Sequence, residues 1–383
     1  MKPIHYGRQE ISDEDIAAVI ETLKSDYLTQ GPKIPEFESA FAHYVGSKYA
    51  VAVCNGTAAL HLSAIVLGIK PGECVITTPI TFAASANCIR YCSGKVLFAD
   101  IDRDSYLIDL KKVDQLLSST KEKIRGIVSV DFAGNPVNLE ELKKIADRYG
   151  CWIIEDCCHA PGGWFSDRKG VKQKCGNALF ANTSIFSFHP VKHFATGEGG
   201  MITTNDKNIY EKLLLLRTHG ITKNPDLISE NHGPWYYDMI ELGYNYRLTD
   251  IQASLGISQL KRADKGLERR KTIAKNYDMA FRDYVQKIRT PIYSEGHAFH
   301  LYIIEIKDRL GLYNYLRENK IFSQVHYIPI HMLLDYKKLG YKKGDFPVSE
   351  DYYDHCLSLP MYPSLTNAEQ DFVIAKVIEF FSR

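Results

Sequence analysis

The sequence predicts an α/β protein: a large, mainly parallel sheet flanked by helices, followed by a small C-terminal α/β domain entered through a long helix. Three observations carry this. Between residues 50 and 205, short runs rich in Val, Ile and aromatics alternate with helical patterns, an order that implies parallel strands joined by crossover helices. Punctuation falls where that alternation needs it, with Asn138 placed as an N-cap and Gly150 as a stop around the helical stretch 139–149. After residue 205 the alternation ends in a long aperiodic stretch and then a long helical one, which marks a change of architecture.

The elements follow in order. Residues 13–24 read as an amphipathic helix with Ile16, Val19, Ile20 and Leu23 on one side. Runs at 49–54, 74–78, 96–100, 126–130, 151–155 and 183–188 are short, apolar and bounded by Gly, Pro or Asp, as buried strands are. Helical stretches at 57–69, 82–91, 110–118 and 139–149 lie between them. A further β-run covers 201–204, and 206–217 reads as a helix. Residues 219–243 have no clear period and are too long for a simple connection, so a functional or interface loop is expected. From Thr249 to about Tyr284 the pattern is helical, with Ile251, Leu255, Ile257 and Leu260 as its early apolar face. Strands at 299–306 and 323–327 and helices at 309–319 and 367–381 complete the chain. A large domain over 1–250 and a small one over 251–383 result.

Composition narrows the function. A chain of 383 residues with 45% hydrophobic content can bury a large core. Lys and Arg number 47 against 46 Asp and Glu, so no basic stripe points to nucleic acid. The N-terminus carries early charges and no apolar h-region, and no apolar run approaches the ~18 residues that span a bilayer. Nine cysteines, an odd number without regular spacing, fit reduced thiols in a cytoplasmic enzyme better than a disulfide framework.

The chemistry centres on Lys192. It lies between the β-run ending in Phe186-Ser187-Phe188 and the turn Gly197-Glu198-Gly199-Gly200. A lysine held beside small residues can form a Schiff base with a carbonyl, which is how pyridoxal phosphate is anchored. Asn55-Gly56-Thr57-Ala58-Ala59 is a strand end opening onto a helix, a ready anion site where Gly56 permits close approach. Asp156 ends the run 151–155, at the edge where α/β sheets bind ligands, and could keep a pyridine nitrogen protonated. His159 follows within hydrogen-bonding reach of a ring oxygen. Ser187 and Asn245 could add hydrogen bonds to a phosphate, and Phe82 offers a flat face to a pyridine ring. Each of these alone also fits an ordinary turn, cap or core residue; it is their convergence on one cofactor that argues. Cys157, Cys158 and His159 do not match zinc-ligand spacing, so no metal is expected.

In their order, these segments resemble the DegT/StrS family of sugar aminotransferases, from Leu28-Thr29-Gln30-Gly31-Pro32 to Ser358-Leu359-Pro360. The resemblance implies the fold-type I architecture of aspartate aminotransferase and pyridoxal 5'-phosphate as cofactor. It implies that Gly56, Thr57, Ala58, Ser187 and, across a dimer, Asn245 bind the phosphate. It further implies that Phe82 stacks on the ring, Asp156 pairs with its nitrogen, His159 touches its oxygen and Lys192 forms the Schiff base. Most members have glutamine where this chain has His159. The branch with histidine there makes the 4-amino sugar precursor of pseudaminic acid, which implies a UDP-linked 4-keto-6-deoxy N-acetylhexosamine as acceptor and L-glutamate as donor. Segments 128–134, 299–302 and 324–327 also resemble that branch. Tyr6, Arg247, His326 and Tyr327 are candidates for substrate contacts. A homodimer with shared active sites is the expected assembly.

Two rival readings are weaker. A sugar dehydratase on this scaffold replaces the lysine by histidine in relatives, and His189 and His193 flank Lys192 without occupying its place. A cofactor-binding regulator without turnover would not need Lys192, Asp156 and Ser187 together.

Overall fold

A computed structural model of the chain describes residues 2–382. Its centre is a seven-stranded sheet. In chain order the strands are β1 (Tyr49–Val53), β2 (Cys74–Thr77), β3 (Lys95–Phe98), β4 (Ile124–Val130), β5 (Trp152–Asp156), β6 (Thr183–Ser187) and β7 (Gly200–Thr204). Their spatial order is β1-β7-β6-β5-β4-β2-β3. Only β7 runs antiparallel to its neighbours; the remaining pairs are parallel. The seven strands expected between residues 49 and 204 are all present, with ends moved by one or two residues.

Helices α1 (Asp13–Leu23), α2 (Lys33–Val45), α3 (Gly56–Val66), α4 (Ala83–Tyr91), α5 (Leu110–Ser119), α6 (Leu139–Arg148) and α7 (Lys207–Leu216) surround the sheet. Asn138 caps α6 by accepting the Glu141 N–H, as its position requires. The apolar stripe of α1 behaves otherwise than its periodicity implies. Ile16, Ile20 and Leu23 are 49%, 44% and 54% exposed, whereas Asp15 and Thr22 are buried. Specific polar partners decide this: Asp15 accepts from Gln259 and Arg262, so the face carrying it turns inward onto α8 (Asp250–Leu260).

The helical stretch expected from 249 to 284 is two helices, α8 and α9 (Ala263–Phe281), broken at Lys261–Arg262. The two cores meet along α9, whose Leu267 still packs into the core that holds α8, while its residues from Ile273 onward belong to a second core. Ala253 of α8 packs with Phe37, Phe41 and Phe186, while Ile273, Tyr277 and Phe281 of α9 pack with Tyr302 and Ile304. Ile4 also belongs to the second core, because residues 4–5 pair in parallel with 321–322. The start of the chain is therefore tied to the small domain. In that domain 302–305 pairs antiparallel with 356–359. The expected strand at 323–327 is absent: only Gln324 bridges to Ser358, and the segment turns away toward the large sheet. Residues 219–243 are mostly loop, with one two-residue hairpin pairing Ile221–Thr222 with Asp238–Met239. Among the described residues no helix is long and apolar enough to cross a membrane.

Candidate active site

The parallel strands point their carboxyl ends at one cavity of about 470 Å³. Strand β1 leads into Asn55-Gly56-Thr57, β4 ends at Val130, β5 at Asp156 and β6 at Ser187, and all of these line it except Val53 itself. The antiparallel β7 brings the Gly-rich turn back beside them. Gly200 pairs with Ser187, and a Cβ on Gly200 would lie 2.5 Å from the Asn55 oxygen, so the close approach demands glycine. A Cβ on Gly56 would likewise lie 2.9 Å from that of Ser187.

Of the expected residues, Gly56, Thr57, Phe82, Asp156, His159, Ser187, Lys192, Tyr6, His326 and Tyr327 line this cavity together. Ala58 does not. Its N–H donates to the Asn55 side chain at 2.8 Å, because Asn55 is the N-cap of α3. Among the described residues nothing accepts from the N–H groups of Gly56 and Thr57, which remain available for an anion at the helix start. Asn245 and Arg247 also lie outside the cavity wall; Asn245 is exposed and bridges to Thr218.

Asp156 is held rigidly. Ser85 donates to its Oδ2 at 2.7 Å and the Cys158 N–H to its Oδ1 at 3.1 Å. Since the Ser85 proton is committed there, Thr81, 2.8 Å away, donates to Ser85. Neither Thr81 nor Ser85 was among the expected residues. Their signal is the four-residue spacing around Phe82, which places both hydroxyls on one side of the start of α4.

The tautomer of His159 follows from its partners. The Ala133 N–H donates to Nδ1 at 3.2 Å, so Nδ1 is unprotonated and Nε2 carries the hydrogen, 3.2 Å from the Tyr327 hydroxyl. Burial, reinforced by Lys192, His326 and His193, holds the imidazole pKa well below its ordinary value, so the ring is neutral. Burial also lowers the pKa of Lys192, against the opposing pull of Cys158 and Asp156, and this raises the share of free amine. Phe82 is 61% exposed at the mouth, its ring 6.1 Å from that of Tyr327.

Behind Asp156, Asp131 and Glu155 are both buried, with Cys157 close by. Burial and then the neighbouring Glu155 raise the Asp131 carboxyl, and burial raises that of Glu155.

The fit to pyridoxal phosphate is good on these grounds. Two free N–H groups and the Ser187 hydroxyl face the glycine-shaped hollow, Asp156 and Lys192 lie on one cavity, and His159 presents a fixed donor. A lysine, a carboxylate and a phosphate cradle on a doubly wound sheet define a cofactor-dependent enzyme acting through a Schiff base. The chain belongs to the DegT/DnrJ/EryC1/StrS aminotransferase family, whose model matches residues 9–378. It is 39% identical to the UDP-4-amino-4,6-dideoxy-N-acetyl-beta-L-altrosamine transaminase of Campylobacter jejuni (strain 81-176), over 97% of this chain and 95% of that relative. The structure matches that of Helicobacter pylori PseC, an aminotransferase involved in pseudaminic acid biosynthesis, with TM-score 0.90, 30% identity and 100% of both chains covered. A Streptococcus pneumoniae protein solved in its PLP form matches with TM-score 0.89 and 28% identity, over 99% of both chains. The protein is a PLP-dependent aminotransferase of the sugar aminotransferase family.

Proposed function

We propose that the protein transfers an amino group from L-glutamate to C4 of a UDP-linked 4-keto-6-deoxy N-acetylhexosamine. The observation that carries this reading is full-length similarity to a transaminase of that product class, 39% identical, in a chain with histidine at position 159. Bound pyridoxal phosphate supplies a carbonyl for imine exchange and a protonated ring that takes up the electron pair left at the donor's α carbon.

The chain's own residues do the rest. Gly56, Thr57 and Ser187 would hold the phosphate, and Phe82 would cover the ring. Asp156, fixed by Ser85 and the Cys158 N–H, would keep the ring nitrogen protonated. The Nε2–H of His159 would donate to the ring oxygen, displacing its contact with Tyr327. Lys192 Nζ would carry the proton that leaves the donor's α carbon, and its lowered pKa suits it to act as a base. Tyr6, His326 and Tyr327 remain as candidate substrate contacts on the wall.

A two-fold homodimer completes the reading. Asn245 lies outside its own cavity, and Trp235 and Leu242 nearby are 72% and 75% exposed, as interface residues of an isolated chain would be. The exposed stripe Ile16, Ile20 and Leu23 adds a second apolar surface for a partner copy.

The test is incubation of the purified protein with L-glutamate and a panel of UDP-, dTDP- and GDP-linked 4-keto sugars, with the new C–N bond located by NMR. Amination of the UDP sugar at C4 is expected. An amine at C3, or activity confined to dTDP or GDP sugars, would overturn the substrate and leave the family intact.

A further inference from the structure

Lys192 lines two cavities. The second, of about 300 Å³, is walled by the start of the chain, the α8–α9 junction and Pro363. Besides Lys192 it carries Arg8, Arg262, Lys265, Arg269 and Arg270 against a single carboxylate, Glu10. Arg262 is neutralised, because it pairs with Asp15 and lies 3.5 Å from Glu10. Among the described residues no carboxylate pairs with the other four. Arg269 donates only to the Leu365 carbonyl, at 2.5 Å.

Arg270 is the most informative of them. It is 2% exposed, and its Nη1 donates to the carbonyls of Phe299, His300 and Met361 at 3.2, 3.3 and 3.0 Å. Burial without a counter-charge lowers its pKa to about 9. An unpaired buried charge is costly, and an incoming anion relieves that cost. On the same wall, His193 Nε2 is buried without a partner. The cofactor cavity, by contrast, is lined by no arginine and by no lysine except Lys192.

We propose that this second cavity binds a phosphate-class anion bearing two or more negative charges, with Arg269 and Arg270 beneath it and the exposed Arg8 and Lys265 at its mouth. Guanidinium forks match phosphate oxygens in pairs, and the mouth lysine adds a mobile point charge. Two sources share this chemistry: the diphosphate of a nucleotide sugar, and a separate phosphate ligand. The site does not depend on the sugar assigned above.

Calorimetric titration of inorganic pyrophosphate into the holoenzyme tests it, since bound cofactor already fills the Gly56–Ser187 cradle. The native protein should bind pyrophosphate, more weakly as salt rises. The double variant Arg8→Gln/Lys265→Gln should bind about tenfold more weakly or worse while keeping its cofactor absorbance and Tm. Displacement of pyrophosphate by UDP would support the site and assign it to the nucleotide sugar; undiminished binding beside UDP would support it and assign it to a separate ligand. No binding by the native protein, or equal affinity in the variant, overturns the proposal.

Discussion

Replacing His297 by asparagine should flatten the acid unfolding of this protein by an amount that its burial sets. His297 is 1% exposed, its Nδ1 accepts the Phe299 N–H at 2.7 Å, and its Nε2 has no partner. Burial alone lowers its pKa to about 3, against about 6.5 in an unfolded chain. Below about pH 6.5 the unfolded chain therefore binds a proton that the folded chain refuses, so stability falls as pH falls toward 3 and is unaffected above. At about 1.4 kcal/mol per pH unit, moving from about pH 7.5 to about pH 5.0 costs about 2 kcal/mol through this residue. Asparagine does not titrate, and its oxygen can replace Nδ1 as acceptor. Urea unfolding of both proteins at the two pH values, with saturating cofactor, reads the difference. His159, His300 and His326 are buried with lowered pKa values too, so the native slope is steeper than one histidine explains. Asp131, raised by burial, works in the opposite sense as pH falls. A variant that loses as much stability between the two pH values as the native protein would refute the reasoning.

Three further outcomes follow from the site. Ser85→Ala removes the 2.7 Å donor to Asp156, a bond to a charged group worth about 1.5–3 kcal/mol; stopped-flow absorbance should show the donor half-reaction slowed about 10- to 100-fold, and an unchanged rate would mean Ser85 has no part in positioning Asp156. Lys192→Ala should retain cofactor through the phosphate cradle but lose turnover, and borohydride labelling of a different lysine in the native protein would sink the assignment of Lys192. Lys192→Ala and Asn245→Ala chains should each be nearly inactive, yet recover activity in co-expressed hybrid dimers, where one of the two sites has both residues; no recovery in verified hybrids would place Asn245 in cis or away from the phosphate.

Much of the sheet was legible because its strands are short, doubly covered and therefore apolar throughout, and because caps such as Asn138 are local. The failures have physical causes of another range. The stripe Ile16, Ile20 and Leu23 has a helical period, but Asp15 finds Gln259 and Arg262 far along the chain, and that pairing turns the stripe outward. The pairing of residues 4–5 with 321–322 is equally long-range and leaves no local trace. At the site, Lys192, Asp156 and Ser187 stood out through flanking glycines and strand ends. Thr81 and Ser85 did not, since their task is visible only once β5 and α4 are side by side. Ala58 lies outside the cavity for a local reason: its N–H donates to the N-cap Asn55.

The buried histidines bear on chemistry as well as on stability. His159, His193, His300 and His326 all have lowered pKa values, and Lys192 contributes to each of those shifts. Interaction is mutual, so any of these rings, if charged, would oppose a charge on Lys192. Kept neutral by burial, they add no positive charge beside Lys192. His159 can then offer a donor without offering a positive charge, because the Ala133 N–H fixes which nitrogen carries its hydrogen. A glutamine would supply the same neutral donor but not a tautomer set by the backbone. His159→Gln should accordingly preserve cofactor binding and much of the donor half-reaction, whereas His159→Leu, which offers no donor, should slow it about tenfold or more. Equal rates in the two variants, measured by stopped-flow absorbance, would show that the hydrogen bond from Nε2 plays no part.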